Sequence, residues 1–139
     1  MRKREILLFF PVLLLISFAC TLPFTRNDSE EALNKRVQRL WEARVKGDGG
    51  TIYDMSDKKF RKSIPRERCL NRGTLNVIKY NIVKVEVVEK GREGSAMVFF
   101  ETIRMGHRLE ISIKEMWIFE DGKWHLKRSD LRTPFGDKR

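Results

Sequence analysis

The alternation of apolar and polar residues is clearest in residues 107–128, HRLEISIKEMWIFEDGKWHLKR. Apolar side chains take nearly every second position on both sides of the Asp-Gly dipeptide at 121–122, which favours a two-residue turn between antiparallel strands. A turn there fixes the register, because side chains alternate between the two faces of a strand. The pattern therefore predicts a hairpin whose apolar face must be covered by the rest of the chain. Its facing pairs are expected to be Phe119 with Trp124, Trp117 with Leu126, and Glu115 with Arg128.

A long amphipathic helix is predicted upstream of the strands. Asp28 or Ser29 can cap its start, with Glu31 placed as in a capping box, and Gly47 can end it. Between these residues, apolar side chains recur at the spacing of one helical stripe, and we expect this stripe to cover the hairpin. The stripe consists of Leu33, Val37, Leu40, Trp41 and Val45.

Two shorter helices are predicted next. Asp48 can cap one that runs through Tyr53 and Met55, and a further helical piece follows Ser63 and ends before Gly73. Together with the long helix, they make up the helical half of the chain.

The remaining segments predict strands. Residues 77–88, VIKYNIVKVEVV, are rich in β-branched side chains, and their apolar phase changes, with Ile78 and Ile82 on one side and Val83 starting the other. We therefore expect a β-bulge near Ile82. Residues 95–104, SAMVFFETIR, are apolar on both faces at their centre, which predicts an inner strand or one covered by a partner subunit. With the hairpin, this order predicts an α+β fold with N-terminal helices packed on a curved, antiparallel four-stranded sheet.

Composition narrows the function classes. The chain of 139 residues carries 29 Lys and Arg against 19 Asp and Glu, a net charge of +10. Two cysteines and two histidines provide neither a disulfide framework nor clustered metal ligands, so no metal site is predicted. Glycine-rich phosphate loops, serine elbows and dinucleotide fingerprints are absent from the sequence, and no cofactor is predicted. The tryptophans occupy core-type positions instead of alternating with basic residues, which argues against a nucleic-acid partner.

The N-terminus predicts export. Residues 1–19 combine a basic start with an apolar run and small residues before Cys20, the layout of a secretory signal peptide. The segment resembles a bacterial lipoprotein signal, which implies acylation of Cys20 and anchoring in the cell envelope, and we favour this interpretation. Ser17 and Ala19 are small residues at the two positions that ordinary signal peptidase recognises. Cleavage by that enzyme would release a secreted or periplasmic protein. A retained signal anchor is the third alternative. Residues 20–28 are predicted to be a tether.

Two stretches resemble the nuclear transport factor 2-like (SnoaL-like) superfamily. They are residues 40–64, LWEARVKGDGGTIYDMSDKKFRKSI, and residues 114–128, KEMWIFEDGKWHLKR. They are similar to its helix with a Trp-Glu-Ala pattern, its Gly-Asp break and its closing hairpin. The resemblance implies a domain over residues 29–133 before a tail at 134–139, a cone-shaped fold with a pocket at the wide end, and dimerisation through the outer face of the sheet. Members include isomerases, dehydratases and domains without known chemistry, so the fold does not give a function.

Enzymes of that superfamily place an acid, a tyrosine or a histidine inside the cone, which here gives Glu115, Tyr53, Arg128 and, less favoured, His125. Glu115 lies on the apolar face. An unpaired carboxylate there would lose hydration, which makes it a candidate general base. An ion pair with Arg128 across the hairpin explains both residues without a substrate, and we favour it. Tyr53 is expected to be a core tyrosine, and His125 to lie on the opposite face in a surface or dimer contact.

Basic residues cluster between positions 57 and 69. A solvated helix surface is the simpler explanation. The alternative is attraction to anionic lipid headgroups or envelope polymers, which is worth about 1 kcal/mol per basic group close to a charged surface. The cluster consists of Lys58, Lys59, Arg61, Lys62, Arg66 and Arg68.

The sequence leaves three functions open. The first is an exported, lipid-anchored interaction domain without catalytic activity, which binds a small ligand or a partner protein. The second is a small cofactor-independent isomerase or dehydratase that uses Glu115 and Tyr53. The third is an electrostatic binder of anionic envelope surfaces. The expected partners are the membrane, through the N-terminus, an unidentified small ligand, and a second copy of the chain.

Overall fold

The computed structural model describes residues 27–71, 75–89 and 92–128. The signal peptide predicted at 1–19, Cys20 and the tail predicted at 134–139 lie outside these residues. The described residues form four helices followed by four strands, which join in sequence order into one antiparallel sheet. The helices are α1 Glu30–Lys46, α2 Gly49–Asp54, α3 Lys58–Ser63 and α4 Arg66–Asn71, and the strands are β1 Val77–Glu89, β2 Glu93–Arg104, β3 His107–Glu120 and β4 Lys123–Leu126.

This arrangement confirms the predicted α+β order, with one helix more than expected. The four strands form an open sheet, and the cone with a pocket at its wide end is not confirmed. In the part of the chain that the structure describes, no helix is long and apolar enough to span a membrane.

The long helix α1 begins and ends close to where the sequence predicts. The Ser29 hydroxyl accepts a hydrogen bond from the Ala32 amide at 3.1 Å, and Gly47 ends the helix with a φ of 68°. The first four residues of the predicted stripe are fully buried. Val45 is 43% exposed, so its predicted burial is wrong, and Ala43 faces the core in that turn instead.

The final hairpin has the predicted register. Trp117 pairs with Leu126 and Phe119 with Trp124. The turn has positive φ at both central residues, 49° at Asp121 and 74° at Gly122, as the right-handed twist of the strands requires. The two tryptophans on this hairpin are almost completely buried and share one core with the apolar stripe of α1.

Strand β1 changes phase at the predicted place. A register shift between Ile82 and Lys84 lets side chains on both sides of it face the same core. A second shift, between Val77 and Lys79, is not predicted by the sequence pattern. It buries Val77 and leaves Ile78 37% exposed, whereas Ile82 packs against the core, so the predicted placement of Ile78 on the same side as Ile82 is wrong.

Strand β2 is an inner strand, as predicted, because β1 and β3 pair with its two edges. Its expected burial on both faces is not found within one chain. Phe99 is 50% exposed and Ile103 is 45% exposed, since no element of the described chain covers the outer face of β2. Coverage of this face by a second copy stays a prediction.

Close contact between α1 and the sheet depends on Gly94 of β2. A Cβ atom at this position would overlap Cδ2 of Leu33 and would lie 3.0 Å from the backbone oxygen of Glu86. A side chain at this position would therefore force the buried Leu33 side chain of α1 out of its place against the sheet.

The chain between α2 and α3 docks on the free edge of β4. The Leu126 amide donates to the Met55 carbonyl at 2.8 Å, and the Asp57 amide donates to the Leu126 carbonyl at 2.9 Å. Asp57 also caps α3, the helix that the sequence analysis missed, by accepting from the Phe60 amide at 2.8 Å. An aspartate before Lys58 is a helix-capping signal in the sequence. The helix was not predicted because its residues do not form an apolar stripe.

Candidate functional site

The buried carboxylate of Glu115 has two partners on α1. Its Oε1 accepts from Nη1 of Arg44 at 2.6 Å, and its Oε2 accepts from Nε1 of Trp41 at 3.1 Å. The Arg44 guanidinium also lies over the Trp41 ring, 4.3 Å from its centroid. Only 2% of the Glu115 side chain and 12% of the Arg44 side chain are exposed. The carboxylate is therefore neutralised inside the fold.

The predicted ion pair between Glu115 and Arg128 is wrong. Strand β4 ends at Leu126, before the position opposite Glu115. The Arg128 amide turns instead to Asp57 and donates to its Oδ2 at 2.6 Å. The Arg128 guanidinium lies over the Phe60 ring at 4.3 Å, so that this residue packs against α3.

Tyr53 is a core tyrosine, as predicted. Its hydroxyl lies 2.9 Å from the carbonyl oxygens of both Arg61 and Ile64, and its proton is shared between them. The hydroxyl therefore joins α2 to the end of α3. Glu115, Tyr53 and Arg128 each have their own protein partners, and the structure does not bring them together around a common space.

His125 occupies the predicted strand position but not the predicted environment. It pairs with Ile118, yet it is only 6% exposed. The expected surface position is wrong because Ser56 forms a parallel bridge with Leu126, which lays the chain before α3 along this edge of the sheet. Sequence alternation could not show this contact between distant segments.

Burial also lowers the pKa of His125. Loss of hydration is the main cause, and repulsion from Arg61 and Arg36 adds to it. Glu120 and the backbone of Ser56 act in the opposite direction. Nδ1 of the ring is buried and has no hydrogen-bond partner among the described residues, so the neutral imidazole is favoured in the folded chain.

The basic residues on α3 and α4 are exposed or partly buried. Lys58 approaches Asp121 at 3.8 Å, and Arg66 approaches Asp54 at 3.5 Å, both at solvent-exposed positions. The other exposed cations of this cluster have no carboxylate within ion-pair distance in the described part of the chain. They are Lys59, Lys62 and Arg68.

A depression of about 250 Å³ lies on the outer face of the sheet, beside Phe99 and Glu110. The carboxylate of Glu101 in this depression is paired with Lys79, and its other oxygen lies 3.4 Å from Arg108. The acid is thus balanced by two cations from neighbouring strands, and it has no free charge to offer a ligand.

A groove of about 360 Å³ runs between the start of α1 and the β3–β4 turn. The sequence pattern does not indicate this groove, because its two walls are 88 residues apart where Arg36 meets Trp124. Its charged lining consists of Glu31, Lys35, Arg36, Arg39 and Lys123. The partly buried Arg36 donates from Nε to the carbonyl oxygen of Trp124 at 3.0 Å. The spacing of the three cations on α1 was the signal in the sequence that could have indicated one wall.

No group of three or more His, Cys, Asp or Glu side chains suited to a metal ion occurs within residues 27–71, 75–89 and 92–128. Cys69 forms no disulfide within residues 27–71, 75–89 and 92–128, and its Sγ lies 3.9 Å from Nη1 of Arg128.

No protein-family model and no curated protein matches this chain. Among solved structures, the chain is similar to the solution structure of a SEC-C motif containing protein from Rhodopseudomonas palustris. The two share 15% sequence identity with a TM-score of 0.54, over 66% of this chain and 72% of that protein. At this identity, the similarity concerns the fold alone.

These comparisons contradict the assignment to the nuclear transport factor 2-like superfamily. The residues that suggested it have local physical causes. Trp41 fills the space beneath α1, and the Asp-Gly dipeptide at 121–122 satisfies the backbone of a tight turn. Any helix packed on a hairpin has such requirements, so these short motifs did not identify a family.

The contacts of Glu115 predict a strong energetic coupling to Arg44. In Arg44→Met, the buried carboxylate keeps only the Trp41 indole as a partner, and we expect about 3–5 kcal/mol of destabilisation. Adding Glu115→Gln should recover part of this loss, because the amide oxygen still accepts from Trp41 and no charge stays buried. Equilibrium unfolding in urea measures both. Arg39→Met, at an exposed position of α1, is the control and should change stability by less than about 0.5 kcal/mol. Additive effects of the two changes at the pair would contradict the coupling.

The lowered pKa of His125 predicts lower stability in acid. Because its folded-state pKa lies below the unfolded value of about 6.5, its stability contribution is complete above that pH and is lost as pH falls through the folded pKa. Unfolding free energies measured between about pH 7.5 and about pH 5 should therefore decrease, by at most about 1.4 kcal/mol per pH unit for one proton. His125→Gln should reduce the slope, and His107→Gln, at an exposed position, should keep it. Equal slopes in the two variants would exclude His125 as the cause.

Proposed function

We propose that this chain is an exported, lipid-anchored interaction domain without catalytic activity, in which Cys20 carries the lipid and the folded part binds a partner molecule. The observation that carries the proposal is the environment of Glu115. The residue best placed to act as a general base is held by Arg44 and Trp41. Both oxygens of this carboxylate already accept hydrogen bonds from α1, so neither is left for a substrate.

The isomerase or dehydratase alternative needs Glu115 and Tyr53 free and facing one substrate. The Tyr53 hydroxyl is bonded to two backbone carbonyls, and the space between α1 and the sheet is filled by three tryptophans. These contacts favour binding over catalysis. Exposed apolar side chains on the outer face of the sheet, such as Phe99 and Ile103, support the prediction that a second copy of the chain covers this face.

Mass spectrometry of the mature protein tests the anchoring. The full chain is expressed in a bacterium that exports and processes it, and we expect the mature form to begin at Cys20 with diacylglycerol on the sulfur. Cys20→Ser should abolish lipid attachment, and Cys69→Ser should leave it unchanged. A mature chain that begins with an unmodified Cys20, or one that retains Met1, would show that the domain is not anchored in this way.

The cationic surface of α3 and α4 supports a second candidate, electrostatic binding to anionic envelope surfaces. Its exposed cations without carboxylate partners are available to a charged surface, where each contributes about 1 kcal/mol. The same surface adjoins the β3–β4 turn, through the approach of Lys58 to Asp121.

Binding to vesicles of phosphatidylglycerol tests this candidate. We expect the affinity of the full chain carrying Cys20→Ser to fall steeply with salt, because exposed charges are screened within about 10 Å at 0.1 M. A variant in which Lys59, Lys62 and Arg68 become glutamine should bind about a hundredfold more weakly. The control removes the same charge by changing Arg92, Arg104 and Lys114 to glutamine. Salt-independent binding, or the same loss in both variants, would rule out α3 and α4 as the binding surface.

A further inference from the structure

We propose that the groove between the start of α1 and the β3–β4 turn binds the phosphate of an anionic phospholipid headgroup. The inference rests on the proposed membrane anchoring and adds to it a specific site on the folded domain. This groove shares no lining residue with the cationic surface of α3 and α4, although both adjoin the β3–β4 turn.

The charges in the groove do not balance. Four cations line it against one carboxylate, Glu31, which is bonded to Lys35 at 2.7 Å. The other three, Arg36, Arg39 and Lys123, have no carboxylate within ion-pair distance in residues 27–71, 75–89 and 92–128. An anion in the groove would therefore meet a net positive charge from two separate elements of the fold.

Arg36 is oriented before any ligand arrives. The bond from its Nε to the Trp124 carbonyl fixes one edge of the guanidinium, which leaves the two terminal nitrogens to donate. The pKa of Arg36 is lowered because burial removes water from the cation, and repulsion by Arg39 adds to the effect. A negatively charged oxygen would replace the lost hydration and relieve this repulsion, and the fork of an arginine suits two oxygens of one phosphate.

The groove also lies beside the point where the tether meets the domain. Asn27, the first residue that the structure describes, is part of its lining. An extended chain spans at most about 3.5 Å per residue, so the segment from a lipidated Cys20 to Asn27 reaches roughly 25 Å. An anchored domain is therefore held near enough to the bilayer for this groove to meet the headgroup layer.

The side of the groove formed by the turn is open. Apart from the two chain neighbours of Gly122, no described residue has a heavy atom within 4 Å of a Cβ atom built on it, so no more distant side chain of the described chain blocks the approach there. Arg39 and Lys123 are exposed at the rim, whereas Arg36 lies deeper. One half-buried cation with two exposed cations at the rim suits a phosphate that is presented by a larger surface.

Amide hydrogen exchange in lipid nanodiscs tests the proposal. The full chain from an exporting bacterium is studied with discs of phosphatidylglycerol and with discs of phosphatidylcholine. We expect exchange at the β3–β4 turn to be slower with phosphatidylglycerol, and this slowing to be lost in the double variant Arg39→Gln, Lys123→Gln. The control double variant, Arg104→Gln with Lys114→Gln, removes the same charge elsewhere and should retain the slowing. The triple glutamine variant of α3 and α4 should retain it as well.

Several results would overturn the proposal. Equal exchange with both lipids excludes an anionic headgroup, and an equal loss in the two double variants means that only the total charge matters. If inorganic phosphate added to phosphatidylcholine discs slows exchange as much, the site takes free phosphate and the lipid source is wrong. Attachment to phosphatidylcholine discs reports the Cys20 anchor separately. The readout is the difference in exchange between the two lipids. It can therefore be measured both for a chain anchored through Cys20 and for a chain that is not anchored.

Discussion

The structure depends on one packing constraint, which is that α1 must cover the apolar face of the final hairpin. Trp117 and Trp124 lie on that face and are almost completely buried beneath the helix. Burying an aromatic side chain removes about 150–250 Å² from water, which is worth roughly 4–6 kcal/mol at about 25 cal/mol per Å². The other short elements are added around this contact, and the absence of a side chain at Gly94 allows the helix to come close enough.

The same contact fixes how α1 is rotated. Trp41 and Arg44 are three residues apart and therefore lie on one side of the helix. Each donates a hydrogen bond to a different oxygen of Glu115. A rotation that lost these bonds would leave a carboxylate buried without a partner, at a cost of several kcal/mol. The indole nitrogens of Trp117 and Trp124 find no hydrogen-bond acceptor in the part of the chain that the structure describes, so Glu115 satisfies only one of the three tryptophans. A residue that suggests catalysis by its burial thus has a structural role.

The excess positive charge of the chain has consequences at its surface. On the outer face of the sheet, Lys79 and Arg108 of the two neighbouring strands face Glu101, and the charges there are balanced. On α3 and α4, and in the groove beside α1, several cations have no acid within reach in the described residues. These are the positions where a negatively charged partner would gain most, because it would not have to replace an existing ion pair.

Sequence alone determined the features that depend on neighbouring residues. Alternation with period two gave the pairing of Trp117 with Leu126, the Asp-Gly dipeptide gave the turn, and a phase change marked the bulge after Ile82. Tertiary structure decided the features that depend on which distant segments meet: the partner of Glu115, the burial of His125 beneath the chain before α3, and the groove between α1 and the hairpin. Local patterns fix backbone geometry and the face of each side chain, because those follow from dihedral angles. They do not show which charges approach one another across the fold, since that depends on where β4 ends and how the helices lie on the sheet.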